Sequence, residues 1–151
     1  VISYLRFNLR SQIYAKSLPM AMTIGAIKRL EMIREHPELR EKLWTIATAL
    51  QKGFREAGFD LGKTESPVTP IFLKGGIPQA THMIKDLRQN YGIFCSVVIY
   101  PVVPKGVIML RIIPTAAHTM EDVEYTIKCF KEIKKKLETG AYPDTVADFK
   151  N

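Results

Sequence analysis

At 151 residues the chain has the length of one domain, and 46% hydrophobic against 25% charged residues is the balance of an ordinary globular protein with a core to bury. No stretch approaches the roughly 18 uninterrupted apolar residues of a membrane span, so no integral membrane segment is expected. The net charge of +7 raises the question of a nucleic-acid partner. The densest basic run, residues 128–136, answers it. It closes a predicted helix whose first turn carries Glu121, Asp122 and Glu124, acid before base as the helix dipole favours, and no aromatic-interleaved basic motif accompanies it. A solvated helix face is the preferred reading, and no nucleic acid is expected. Cys95 and Cys129 make neither a disulfide framework nor a metal spacing, and both lie in apolar runs. They read as buried thiols of a cytoplasmic protein.

In chain order, residues 1–14 give a weak amphipathic helix or an extended linker, with Arg6 and Arg10 among Tyr4, Leu5, Phe7, Leu9 and Ile13. Ser17-Leu18-Pro19 ends it, because a residue before proline is pushed out of the α region. Pro19 suits the first turn of a new helix. Met20, Ile24, Ile27, Leu30 and Ile33 then recur at helical steps to about Glu35. With Ala21 and Met22 there are more apolar positions than one face needs, so exposed apolar surface is expected over residues 1–35. His36-Pro37 resets the chain, and His36 reads as a cap or surface residue. The next helix puts Leu39, Leu43, Ile46, Leu50 and Phe54 on one face, with Gly58 past its end.

Residues 65–73 are the first strand candidate. Pro67 and Pro70 demote its front half to an edge or entry position and leave 70–73 as the paired part. Gly75-Gly76 is turn chemistry, since neither glycine-rich phosphate-loop spacing is present. Pro78 opens a helix with Ala80, Ile84, Leu87 and Tyr91 inward and Gly92 at its end. His82 on this helix has no second ligand at metal spacing, and no metal site is expected. Residues 94–100 and 107–113 read as two strands around a Pro104-Lys105-Gly106 turn. Thr119-Met120-Glu121-Asp122 resembles a capping box, and the helix after it carries Val123, Ile127, Phe130, Ile133 and Leu137 on one stripe. Gly140 stops that helix, and 141–151 read as a flexible tail. The order of elements predicts a two-layer α/β (α+β) domain with a small, mainly antiparallel sheet covered by helices.

Arg111 is the one charged residue in the second hairpin strand. A guanidinium among apolar neighbours needs a carboxylate, a phosphate or water. The residues alone leave two readings open: a structural ion pair on an edge strand, or a carboxylate clamp in a binding cleft.

Tyr100-Pro-Val-Val-Pro-Lys-Gly, then Leu110-Arg111, then Thr115-Ala-Ala-His-Thr119, resembles the C-terminal part of the α-oxoamine synthases. Ser17-Leu18-Pro19 and the Glu65-Ser-Pro-Val-Thr-Pro-Ile71 run resemble two further landmarks of that family in the same order, and the likeness reaches to about Gly140. Serine palmitoyltransferase and 2-amino-3-ketobutyrate CoA ligase (glycine C-acetyltransferase) are the members it looks most like.

The resemblance implies a parent enzyme, a homodimer in the cytoplasm. It would be a pyridoxal-phosphate-dependent C-acyltransferase of the EC 2.3.1 type that condenses glycine or serine with an acyl-CoA. It implies that Arg111 holds the amino-acid carboxylate, that Tyr100, Pro101 and Pro104 form active-site wall, and that Lys16 and Ser17 touch the cofactor phosphate across the dimer. Ala15 and Lys16 depart from the hydroxyl residues usual there. The Schiff-base lysine is expected upstream, so the expected fragment (linker or helix 1–18, small domain 19–140, tail 141–151) has no catalytic residue and binds no cofactor alone. The other reading is a free-standing α/β domain in which Arg111 grips a small carboxylate ligand.

Overall fold

The computed structural model describes residues 1–145. These fall into two compact units, Val1–Pro37 and the chain from Glu38 onward. The long helix that follows Pro19 groups with the N-terminal segment.

In the first unit, α1 (Ile2–Asn8) and α2 (Arg10–Ile13) are separated by Leu9 in an extended conformation, and α3 spans Met20–Glu35. Pro19 sits at the capping position just before α3, and its carbonyl accepts the amides of Met22 and Thr23 at 3.0 and 3.2 Å. No residue of α1, α2 or α3 is buried. Met20, Met22, Ile24, Ile27, Leu30, Met32 and Ile33 are all exposed, as the excess of apolar positions predicts.

The second unit holds α4 (Pro37–Glu56) from Glu38 on, followed by β1 (Thr69–Lys74), α5 (Ile77–Asn90), β2 (Ser96–Val98), β3 (Val107–Ile112) and α6 (Met120–Glu138). The sheet is antiparallel with order β1-β3-β2, so the last strand lies in the middle. β1 is an edge strand, a position that tolerates Pro70, and its outer side meets only a single bridge, from the Phe72 amide to the Asp60 carbonyl at 2.9 Å, among the described residues. No helix among the described residues is long and apolar enough to cross a membrane.

Alternation along β3 divides its residues between two faces. Ile108, Leu110 and Ile112 are buried, whereas Arg111 is exposed and Val107 and Met109 are half-buried. The buried face meets Ile46, Leu50 and Phe54 of α4, Ala80, Met83 and Leu87 of α5, and Val123, Phe130 and Ile133 of α6 in one core. Phe54, Phe59 and Phe130 pack edge to face within it, with ring centroids 5.3–6.4 Å apart. Of the predicted α4 stripe, Leu39 is exposed and Leu43 half-buried, and Met83, outside the predicted α5 stripe, is fully buried. Gly58 and Gly140, at φ 73° each, take the left-handed conformation that stops α4 and α6.

Thr119 caps α6 as predicted: its hydroxyl accepts the Asp122 amide at 3.2 Å, and Asp122 Oδ2 accepts the Thr119 amide at 2.9 Å. Cys95 and Cys129 are free and buried.

The expected tail at 141–151 needs correction where it is described. Tyr142 is buried, and its hydroxyl donates to Asp86 Oδ2 at 2.6 Å. The same carboxylate accepts Lys136 Nζ at 2.8 Å and Asn90 Nδ2 at 2.6 Å, so one acidic group joins α5, α6 and the segment after α6. An aromatic ring with a buried partner for its hydroxyl outweighs the polar composition around it. Residues 146–151 of that tail lie outside the described residues.

Candidate functional site

Arg111 stands on the sheet face that the helices leave open. The register sets it between Pro70 of β1 and Ser96 of β2. Its Nε–H donates to Ser96 Oγ at 3.0 Å, and that hydroxyl donates in turn to the Arg111 carbonyl at 3.5 Å. Among the described residues Arg111 makes no ion pair, and the two terminal guanidinium nitrogens have no protein partner. The structural ion pair, one of the two readings open from sequence, is therefore absent there. A planar cationic fork is left to meet an anion from outside the unit. Beside it on the same face run Val98, Met109 and Phe72, one row further along the sheet, all half-buried.

Tyr100, Pro101 and Pro104 lie in the loop between β2 and β3, and all three are exposed. Lys105 Nζ rides 5.2 Å over the Tyr100 ring, and buried Val103 anchors the loop to the unit. The Tyr100–Pro101 peptide is cis. This loop is at the opposite end of the hairpin from Arg111: it follows the end of β2 at Val98, whereas Ser96, the partner of Arg111, opens that strand. The expected wall residues and the expected clamp therefore lie at opposite ends of the hairpin. Lys16 and Ser17 belong to the first unit, exposed in the non-helical stretch before Pro19.

Sequence reading missed two features. One is Ser96, whose hydroxyl in an otherwise apolar strand was the available signal. The other is a cavity of about 490 Å³ on the helix side of the sheet. Its lining includes Ile46, Leu50, Ile93, Phe94, Ile112 and Tyr125, with His118 and Asp122 among the polar groups. These polar groups are already engaged in local structure. His118 Nδ1 accepts the Thr115 amide at 2.9 Å. The Asp122 carboxyl is held below its ordinary value, first by the Thr119 amide and further by the nearby His118.

Pyridoxal phosphate needs a lysine in an enclosed site. No lysine among the described residues is buried, and the cavity lining contains none. Lys16 and Ser17 have the chemistry to meet a phosphate.

The model of the family described as aminotransferase class I and II matches residues 1–130. The chain belongs to that family. Within it, this family member is 56% identical over 142 residues to a cysteate-C-fatty acyltransferase from Capnocytophaga ochracea, an alignment covering 94% of this chain and 34% of the relative. It is 32% identical to a serine palmitoyltransferase from Sphingobacterium spiritivorum, over 91% of this chain and 34% of that one. Among solved structures, a serine palmitoyltransferase from S. paucimobilis with PLP and myriocin bound superposes with a TM-score of 0.75 at 26% identity, covering 91% of this chain and 34% of that one. The likeness to the α-oxoamine synthases drawn from the sequence motifs thus stands, and so does the expected two-layer fold with its small antiparallel sheet. The chain spans about a third of the length of these relatives.

Proposed function

We propose that the chain is the C-terminal part of a pyridoxal-phosphate-dependent acyltransferase, a homodimer that joins an amino acid to a fatty acyl-CoA. The observation that carries this reading is the Arg111 fork, presented on an open sheet face with its terminal nitrogens unpaired among the described residues and an apolar row beside it. Arg111 binds and orients the substrate carboxylate through paired charge-assisted hydrogen bonds, with Tyr100, Pro101 and Pro104 as wall. Lys16 and Ser17 serve as phosphate contacts across the dimer. Bound pyridoxal phosphate supplies the electron sink for carbon–carbon bond formation, and its lysine comes from the part of the parent outside this chain.

The name of the 56% identical relative favours cysteate over glycine or serine as the amino acid. Serine is the second reading, favoured by the match to serine palmitoyltransferases at about a third identity.

The test is acylation by the full-length parent with a fatty acyl-CoA and L-cysteate, L-serine or glycine in turn. L-Cysteate is expected to give the highest kcat/KM. Arg111→Ala is expected to lower it about 10²–10⁴-fold, since it removes a pair of hydrogen bonds to a charged group at about 1.5–3 kcal/mol each. A parent that acylates none of the three amino acids refutes the reading. One that prefers serine replaces the substrate and leaves the class standing.

A further inference from the structure

We infer that Ser96 is a positioning residue for the Arg111 clamp and fixes the direction from which a carboxylate can approach it; the inference rests on the clamp reading above. A guanidinium offers a carboxylate two bidentate edges, a side edge made of Nε–H with one terminal nitrogen, and an end edge made of both terminal nitrogens. Here Nε–H is committed to Ser96 Oγ at 3.0 Å. Only the end edge is left.

The hydroxyl can hold this arrangement because it is bracketed by Arg111 at both ends, accepting from Nε–H and donating to the carbonyl of the same residue. The antiparallel register makes the pairing obligatory, since Ser96 is the residue directly opposite Arg111. On the other flank Pro70 offers the guanidinium no side-chain acceptor. Ser96 is thus the side chain that restrains a long, flexible, exposed cation on this row of the sheet. A carboxylate entering the end edge meets a fork already aligned, with less rotamer freedom to lose on binding.

The experiment uses the full-length holoenzyme. It measures the dissociation constant of the preferred amino acid by calorimetry without acyl donor, together with kcat and KM. Ser96→Ala is expected to weaken binding about 3–10-fold, with kcat within about two-fold of wild type, a split that marks lost ground-state binding. Ser96→Thr, which keeps the hydroxyl, is expected to stay within about two-fold on both. On an Arg111→Ala background, Ser96→Ala is expected to add less than about two-fold, because a positioning residue has nothing left to position. Unchanged binding in Ser96→Ala overturns the inference. So does a penalty that persists in full without Arg111. Arg111→Ala with wild-type affinity overturns the clamp reading itself, which keeps the two failures distinct.

Discussion

Replacing Asp86 by alanine removes the acceptor shared by three elements of the second unit. Its carboxylate takes hydrogen bonds from Tyr142, Lys136 and Asn90 at 2.6, 2.8 and 2.6 Å. The Asp86 side chain is only 11% exposed, whereas that of Lys136 is 40% exposed. A hydrogen bond to a charged group contributes about 1.5–3 kcal/mol when sheltered, and much less when one partner is solvated. The buried Tyr142 hydroxyl belongs to the first class, Lys136 and exposed Asn90 to the second. The expected loss for Asp86→Ala is therefore about 2–4 kcal/mol at pH 7, most of it shared with Tyr142→Phe, so the two substitutions are expected to be less than additive.

The pH dependence has a definite sign. Burial works to raise the Asp86 pKa, but hydrogen bonds from Lys136, Tyr142 and Asn90 outweigh it and hold it below its ordinary value of 3.8. A group depressed in the folded state stabilises the fold above its unfolded pKa, and that contribution is lost as pH falls through the folded value. Urea unfolding of wild type and variant at pH 7 and in a series below pH 4 checks this. The difference is expected to be full at pH 7 and to shrink on acidification. A variant within about 0.5 kcal/mol of wild type at pH 7, or a difference that does not narrow in acid, refutes the reasoning.

Two further outcomes follow from the core. Phe130→Ala empties a fully buried site bordered edge to face by Phe54 and Phe59; the expected cost in urea unfolding is about 3–5 kcal/mol, and one under about 1.5 kcal/mol would place the ring outside the cooperative core. Burial pushes the Cys95 thiol up to about 11, so iodoacetamide at pH 8 is expected to leave it unmodified in the folded protein and to label it after denaturation, as mass spectrometry would read; rapid labelling of the native state would contradict its burial.

Local signals carried much of this protein. Helical spacing of apolar residues, the Pro37 and Pro78 starts, the Gly58 and Gly140 stops and the Thr119 cap are set by interactions within a few residues of chain. The sequence displays those directly. Arg111 was legible for a similar reason: one guanidinium in an apolar strand is conspicuous without any knowledge of its neighbours.

Only the tertiary structure decided what Arg111 faces. β-Strand periodicity assigns residues to two sides of a sheet but does not say which side the helices cover, and the burial of Ile108, Leu110 and Ile112 settled that. Pairing across a sheet is non-local: β1 joins β3 across an intervening helix and strand, which sets Ser96 and Pro70 on either side of Arg111. Tyr142 was hidden for the same reason, because the polar residues around it read as a tail until Asp86, 56 positions earlier, is brought to its hydroxyl. By itself the sequence determined the elements and the singular cation. The cation's partner and its open approach depend on contacts between distant residues, and those exist only once the chain has folded.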